Sequence, residues 1–140
     1  MKPTKPEHRA LMALLMVYGA ASLVHFTHNA EFLGDYPNLP KAWSPALVYL
    51  AWIGMTIVGV AGWLLLLRGL ALAGLIVLVV YAALGLDSLG HYVVAPLSSH
   101  TAAMNATILT EVIAAGCVLL EIARQMLRER QRSSRGGEEP

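Results

Sequence analysis

Residues 63–94 read WLLLLRGLALAGLIVLVVYAALGLDSLGHYVV: two apolar runs hinged on Arg68-Gly69, with Asp87 and His91 appearing only near the far end. One cation and one glycine between such runs predict a tight turn and an antiparallel helical hairpin. Followed back to Pro45 and on to Val94, each run reaches the roughly 20 helical residues needed to cross a hydrocarbon core of about 30 Å. Working outward, similar apolar stretches extend from Leu11 to Thr27, Pro45 to Leu67, Leu70 to Val94 and Ala102 to Ala123. Apolar residues make up 56% of the 140-residue chain and charged residues 14%, too hydrophobic a balance for an ordinary soluble domain. The expected fold is all-α, an integral membrane four-helix bundle over residues 1–126 with a basic, partly disordered cytoplasmic tail over 127–140.

Charge sets the expected orientation. Lys2, Lys5 and Arg9 precede the first span, Arg68 sits between the second and third, and Arg124, Arg128, Arg130, Arg132 and Arg135 follow the fourth. Only Lys41 falls on the other side, so the positive-inside rule puts both termini in the cytoplasm of a multi-pass inner-membrane protein. The basic start and apolar run of the first segment also fit a cleaved leader, but Tyr18, Ser22, His25 and Asn29 recur near one helical face, as a retained bundle member requires. Cys117 is the single cysteine, which excludes an intrachain disulfide and suits a small packing residue. The Arg-rich tail suits anionic lipid headgroups; nucleic acid is not an expected partner of a short segment that also holds Glu129, Glu138 and Glu139.

Local signals mark the boundaries. The first helix is expected from about Glu7 to Leu33, ended by Gly34 and Pro37; Ser44-Pro45 caps and opens the second; Pro96 ends the third; Ser98 or Ser99 caps the fourth. No internal repeat, phosphate loop, CxxC pair or nucleophile elbow is present.

The chemistry-bearing residues gather at one height. With a rise of about 1.5 Å per residue, His25, His28 and Glu31 lie about 24, 28 and 33 Å above Arg9, and Asp87 and His91 about 28 and 34 Å above Arg68. Counted back from Arg124, Glu111 lies about 20 Å up, Asn105 about 28 Å, Met104 about 30 Å and His100 about 36 Å. Ionisable side chains at membrane depth are costly and usually functional, so this slab, facing the periplasm, is the candidate site. His25, His28 and Glu31 climb the first helix in i,i+3 steps, so His28 neighbours both others and Glu31 lies off the main polar face. Asp87 and His91 form an i,i+4 pair on the third, and His100, Met104, Thr107 and Glu111 form a stripe down the fourth. His8, at the cytoplasmic end, reads as a solvated residue.

His25, His28, Glu31, Asp87, His91, His100 and Glu111 together exceed the needs of one tetrahedral ion; they suit a dinuclear centre or one metal with ionisable neighbours. Iron and copper are the expected metals, with zinc as a third candidate, and Asp87 and Glu111 are the expected proton-handling catalytic groups. Asp87-x3-His91 followed by His100 loosely resembles the Asp and His copper ligands in the membrane subunits of copper monooxygenases, a resemblance confined to those three residues.

Four uses of the slab follow. In the first, a metal-dependent oxidoreductase acts on a hydrophobic small-molecule substrate, or a handling protein passes the metal to a partner. In the second, two histidines hold haem b. In the third, Glu111, Asp87 and the histidines form a metal-free, proton-coupled transporter or binder. In the last, the slab packs against a membrane-protein partner or a second copy in a homo-oligomer, with Gly19, Ala20, Ala21, Gly54, Gly59 and Gly62 serving helix contacts.

Overall fold

The computed structural model describes the backbone of residues 5–136 and the side chains of residues 9–128 and 131. It holds α1 (Lys5–Glu31), α2 (Pro45–Leu67), α3 (Ala71–Leu86), the short α4 (Gly90–Val94) and α5 (Ala102–Gly136), with 3-10 turns at Leu33–Asp35, Asp87–Leu89 and Leu97–Ser99. No strand is found among the described residues. Four segments are long and apolar enough to cross a membrane: Arg9–Glu31, Pro45–Leu67, Ala71–Val94 and Ala102–Arg128. Helix α1 packs on α5 and α2, and α3 packs on α2 and α5, so the spans form a closed four-membered ring of alternating direction.

The ends follow from local chemistry. Ser44 Oγ accepts from the Leu47 amide at 3.3 Å with Pro45 at the first helical position, as the sequence predicts. The α2–α3 turn is a Schellman close: Gly69 adopts φ 82°, its amide donates to Leu66, and the Leu70 amide donates to Leu65. The start of α5 differs from expectation. Ser98 and Ser99 lie in a 3-10 turn, and Thr101 is the cap, its Oγ1 accepting from the Met104 amide at 3.2 Å. Helix α1 begins at Lys5, and α5 runs on to Gly136 through most of the tail 127–140 that the sequence marks as partly disordered; residues 137–140 and the side chain of His8 lie outside the described residues.

The core is mainly apolar at the turn end, with Gln125 buried there as well, and polar at the other. Leu11, Tyr18, Leu66, Leu75, Leu78, Ala115, Val118 and Ile122 fill the lower bundle, while Leu50, Ile57, Leu72, Ile76, Ile113 and Leu120 point outward. That outward apolar belt is what lipid requires of a spanning bundle. Helices α2 and α3 approach so closely that a Cβ on Gly74 would lie 2.9 Å from the Gly62 carbonyl oxygen, and one on Gly59 would strike the Tyr81 ring. Gly59 and Gly62 therefore serve contacts within the chain; a Cβ on Gly54 meets nothing within 4 Å.

Candidate functional site

At the end of the bundle away from the termini, α1, the α3–α4 segment and the start of α5 bring their polar residues together. Glu111, fully buried on α5, is the deepest of them. Ser88 Oγ donates to its Oε2 at 2.5 Å, and His25 Nε2 stands 3.7 Å from the same oxygen. The fully buried Ser22 hydroxyl is a further neighbour of this carboxyl. The Thr107 hydroxyl favours one His25 tautomer. Thr107 Oγ1 spends its proton on the Met104 carbonyl at 3.0 Å, so at 3.3 Å it can only accept from His25 Nδ1–H. Nε2 is then a lone pair opposite a carboxyl oxygen, and two such acceptors in a dry interior are satisfied by a shared proton or a cation.

The histidines continue the cluster upward. His25 and His91 meet edge to face with ring centroids 5.5 Å apart, and His91 and His100 do the same at 6.2 Å. His100 Nδ1–H donates to the Pro96 carbonyl at 3.1 Å, which leaves Nε2 as a lone pair, and that atom is buried without a partner. His91 Nε2 accepts from Asn29 Nδ2 at 3.3 Å. Tyr36 fills the centre, its ring centroid 5.0 Å from that of His91, 5.9 Å from His28 and 6.5 Å from His100. Its hydroxyl shares a 2.9 Å hydrogen bond with His28 Nδ1, and burial pushes its phenol up to about 12, so it stays un-ionised at neutral pH. The connecting loop reaches this position because Asn38 takes the left-handed conformation, φ 58°, and its amide donates to the Val94 carbonyl at 3.0 Å.

Of the seven sequence candidates, the structure gathers His25, His91, His100 and Glu111, with His28 joined to them through Tyr36. Glu31 lies apart; it is exposed and accepts from Tyr49 Oη of α2 at 2.8 Å. Asp87 is exposed as well, and the reason is a change of helical pitch. Residues 87–89 turn as a 3-10 helix at about 120° per residue instead of about 100°, which adds roughly 60° between Asp87 and His91. Asp87 and His91 are thereby turned further apart around the axis than a continuous α-helix would set them, although both line the cavity beside the cluster. Asp87 turns to the surface while Ser88 turns inward. Ser88 and Tyr36 are the participants that sequence reasoning missed; nothing in a helical projection marks a serine beside an aspartate or a tyrosine in a loop.

Among the described residues, no three His, Cys, Asp or Glu side chains stand close enough to hold one ion as they are placed. Beside the cluster, under the α1–α2 loop, lies a cavity of about 260 Å³ with His25, Asn29, Ser88 and His91 at its floor. Phe26, Trp43, Leu84, Asp87, Gly90 and Val94 are among the residues of its wall. Compared with protein-family models, curated proteins and solved structures, the chain matches none of them, so its site is read from its own geometry.

Proposed function

We propose that this is a metal-binding protein of the cell's inner membrane, with its site in the periplasmic half of the bundle. The ion is a transition metal, iron or copper before zinc, held by Nε2 of His25 and His100 and by the His91 ring once its Nε2 is released from Asn29 Nδ2, with Glu111 as a fourth ligand or a proton acceptor beside it. One observation carries this reading. His25 and His100 each give Nδ1–H to a held acceptor, Thr107 Oγ1 and the Pro96 carbonyl, and so present Nε2 as a lone pair. Metal-binding histidines are oriented in this way by their other ring nitrogen.

Spacing supports the same reading. Imidazoles bound tetrahedrally at about 2.1 Å have ring centroids about 5 Å apart, against 5.5 and 6.2 Å here. Four of the buried polar atoms that lack a partner, Ser22 Oγ, Asn29 Oδ1, His100 Nε2 and Glu111 Oε1, belong to this cluster or its margin. The adjoining cavity favours a metal that acts on a lipid-soluble molecule over one passed to a partner.

Metal analysis and an optical spectrum of protein purified in mild detergent test the reading, with a His91→Ala, His100→Ala double variant alongside. The expected result is one iron, copper or zinc per chain, lost in the variant. A Soret band would replace the reading with a haem b cytochrome. Metal-free protein after reconstitution would overturn it and leave the proton-coupled binder.

A further inference from the structure

The cavity beside the histidines differs from bottom to rim. At its floor His25 is 1% exposed and the Ser88 hydroxyl is committed to Glu111. At its rim Leu84, Val94 and Trp43 are 41%, 41% and 44% exposed. Leu84 and Val94 belong to a membrane-spanning segment, so the rim meets lipid and interface. Asp87, the carboxylate of the wall, is exposed, so the buried floor sets the occupant's charge. A molecule entering from the lipid side is neutral and lipid-soluble, because a charged one would lose its hydration twice, at the membrane and again at the floor.

The floor sets the second requirement. Asn29 gives Nδ2 to His91 Nε2, and its buried Oδ1 has no partner. With Nδ2 engaged, the amide oxygen is left as an acceptor, which a hydroxyl satisfies by donating once the Asn29 side chain turns Oδ1 toward the cavity it lines. Size sets the third. About 260 Å³ falls just under the range of roughly 300–1,000 Å³ for ordinary small-molecule sites, which limits the occupant to a single ring or a short chain.

We propose that this cavity binds a small, neutral, lipid-soluble alcohol or phenol, its hydroxyl on Asn29 beside His25 and His91 and its apolar body against Phe26, Leu84 and Val94. The inference takes the metal reading as its setting, since His25 and His91 belong to both, but the binding itself is read independently of the metal.

The test is photolabelling of the full chain in lipid nanodiscs with a short-chain alcohol carrying a diazirine, the labelled residues being mapped by mass spectrometry. Labelling should saturate, concentrate on Phe26, Leu84 and Val94, and fall several-fold with excess unlabelled alcohol. Gly90→Phe should abolish it: a Cβ at Gly90 meets nothing within 4 Å, so the added ring has the cavity to fill. Asn29→Leu, which keeps the side chain's approximate size, should weaken labelling by the alcohol about tenfold, the scale of one lost buried hydrogen bond. Labelling by an alkane diazirine of equal length should change little in that variant.

Non-saturable labelling spread over Leu50, Ile57 and Leu72 would overturn the proposal, as would equal effects of Asn29→Leu on both probes. The wild-type map and the Asn29→Leu comparison decide the matter even where Gly90→Phe fails to fold. Metal content of the same samples separates the two readings. Localised labelling of metal-free protein upholds the cavity and overturns the metal; metal-loaded protein without localised labelling does the reverse.

Discussion

Thr107 shows how much of this site depends on a single hydroxyl. Its proton goes to the Met104 carbonyl and its lone pair to His25 Nδ1–H, so it sets which nitrogen His25 offers to the cluster. Thr107→Val keeps the volume and removes the acceptor, whereas Thr107→Ser keeps the acceptor and removes a methyl. Metal affinity measured by chelator competition should fall by about 10- to 100-fold in Thr107→Val, the usual cost of losing a histidine's orienting partner, and stay near wild type in Thr107→Ser. A packing role predicts the opposite order, and finding it would remove Thr107 from the site. Tyr36 was not legible as a participant, because it lies in a proline-flanked loop whose path is set by Asn38 and its bond to the Val94 carbonyl.

Among the elements, the third span is where sequence and structure part. Height along a helix depends only on residue count, so the common level of His25, His91, His100 and Glu111 could be read from spacing alone. Rotation about the axis depends on pitch, and three residues of 3-10 helix at Asp87–Leu89 suffice to exchange Asp87 for Ser88 at the interior. No residue type in Asp87-Ser88-Leu89-Gly90 demands that exchange; burying a hydroxyl that donates to Glu111 instead of a second carboxylate makes it favourable. The α2–α3 pair illustrates the reverse case, in which a glycine is needed for space. Gly74→Ala would place a methyl 2.9 Å from the Gly62 carbonyl oxygen, on backbone that cannot rotate away. A loss of about 1–3 kcal/mol is expected, the usual cost of overpacking, visible as a lower unfolding midpoint in detergent. Gly54→Ala, where nothing lies within 4 Å, should be neutral and serves as the control.

For the whole molecule, topology and charge make a separate forecast. In a Cys117→Ser background, an impermeant thiol reagent added to intact cells should label Lys41→Cys, on the site's side of the membrane, and spare Arg68→Cys until the cells are permeabilised. The inverse pattern would place the site toward the cytoplasm. Four spans, their order, the inner hairpin, the Ser44-Pro45 cap and the level of the polar slab were determined by the sequence alone. They follow from run lengths, from turn chemistry and from the rise per residue, all of which are local. Tertiary structure alone decided that Glu31 turns to Tyr49, that Asp87 faces the surface while Ser88 reaches Glu111, and that Tyr36 enters from a loop to stand among three histidines. These outcomes rest on helix rotation and loop path, and both are set by contacts between segments distant in the chain.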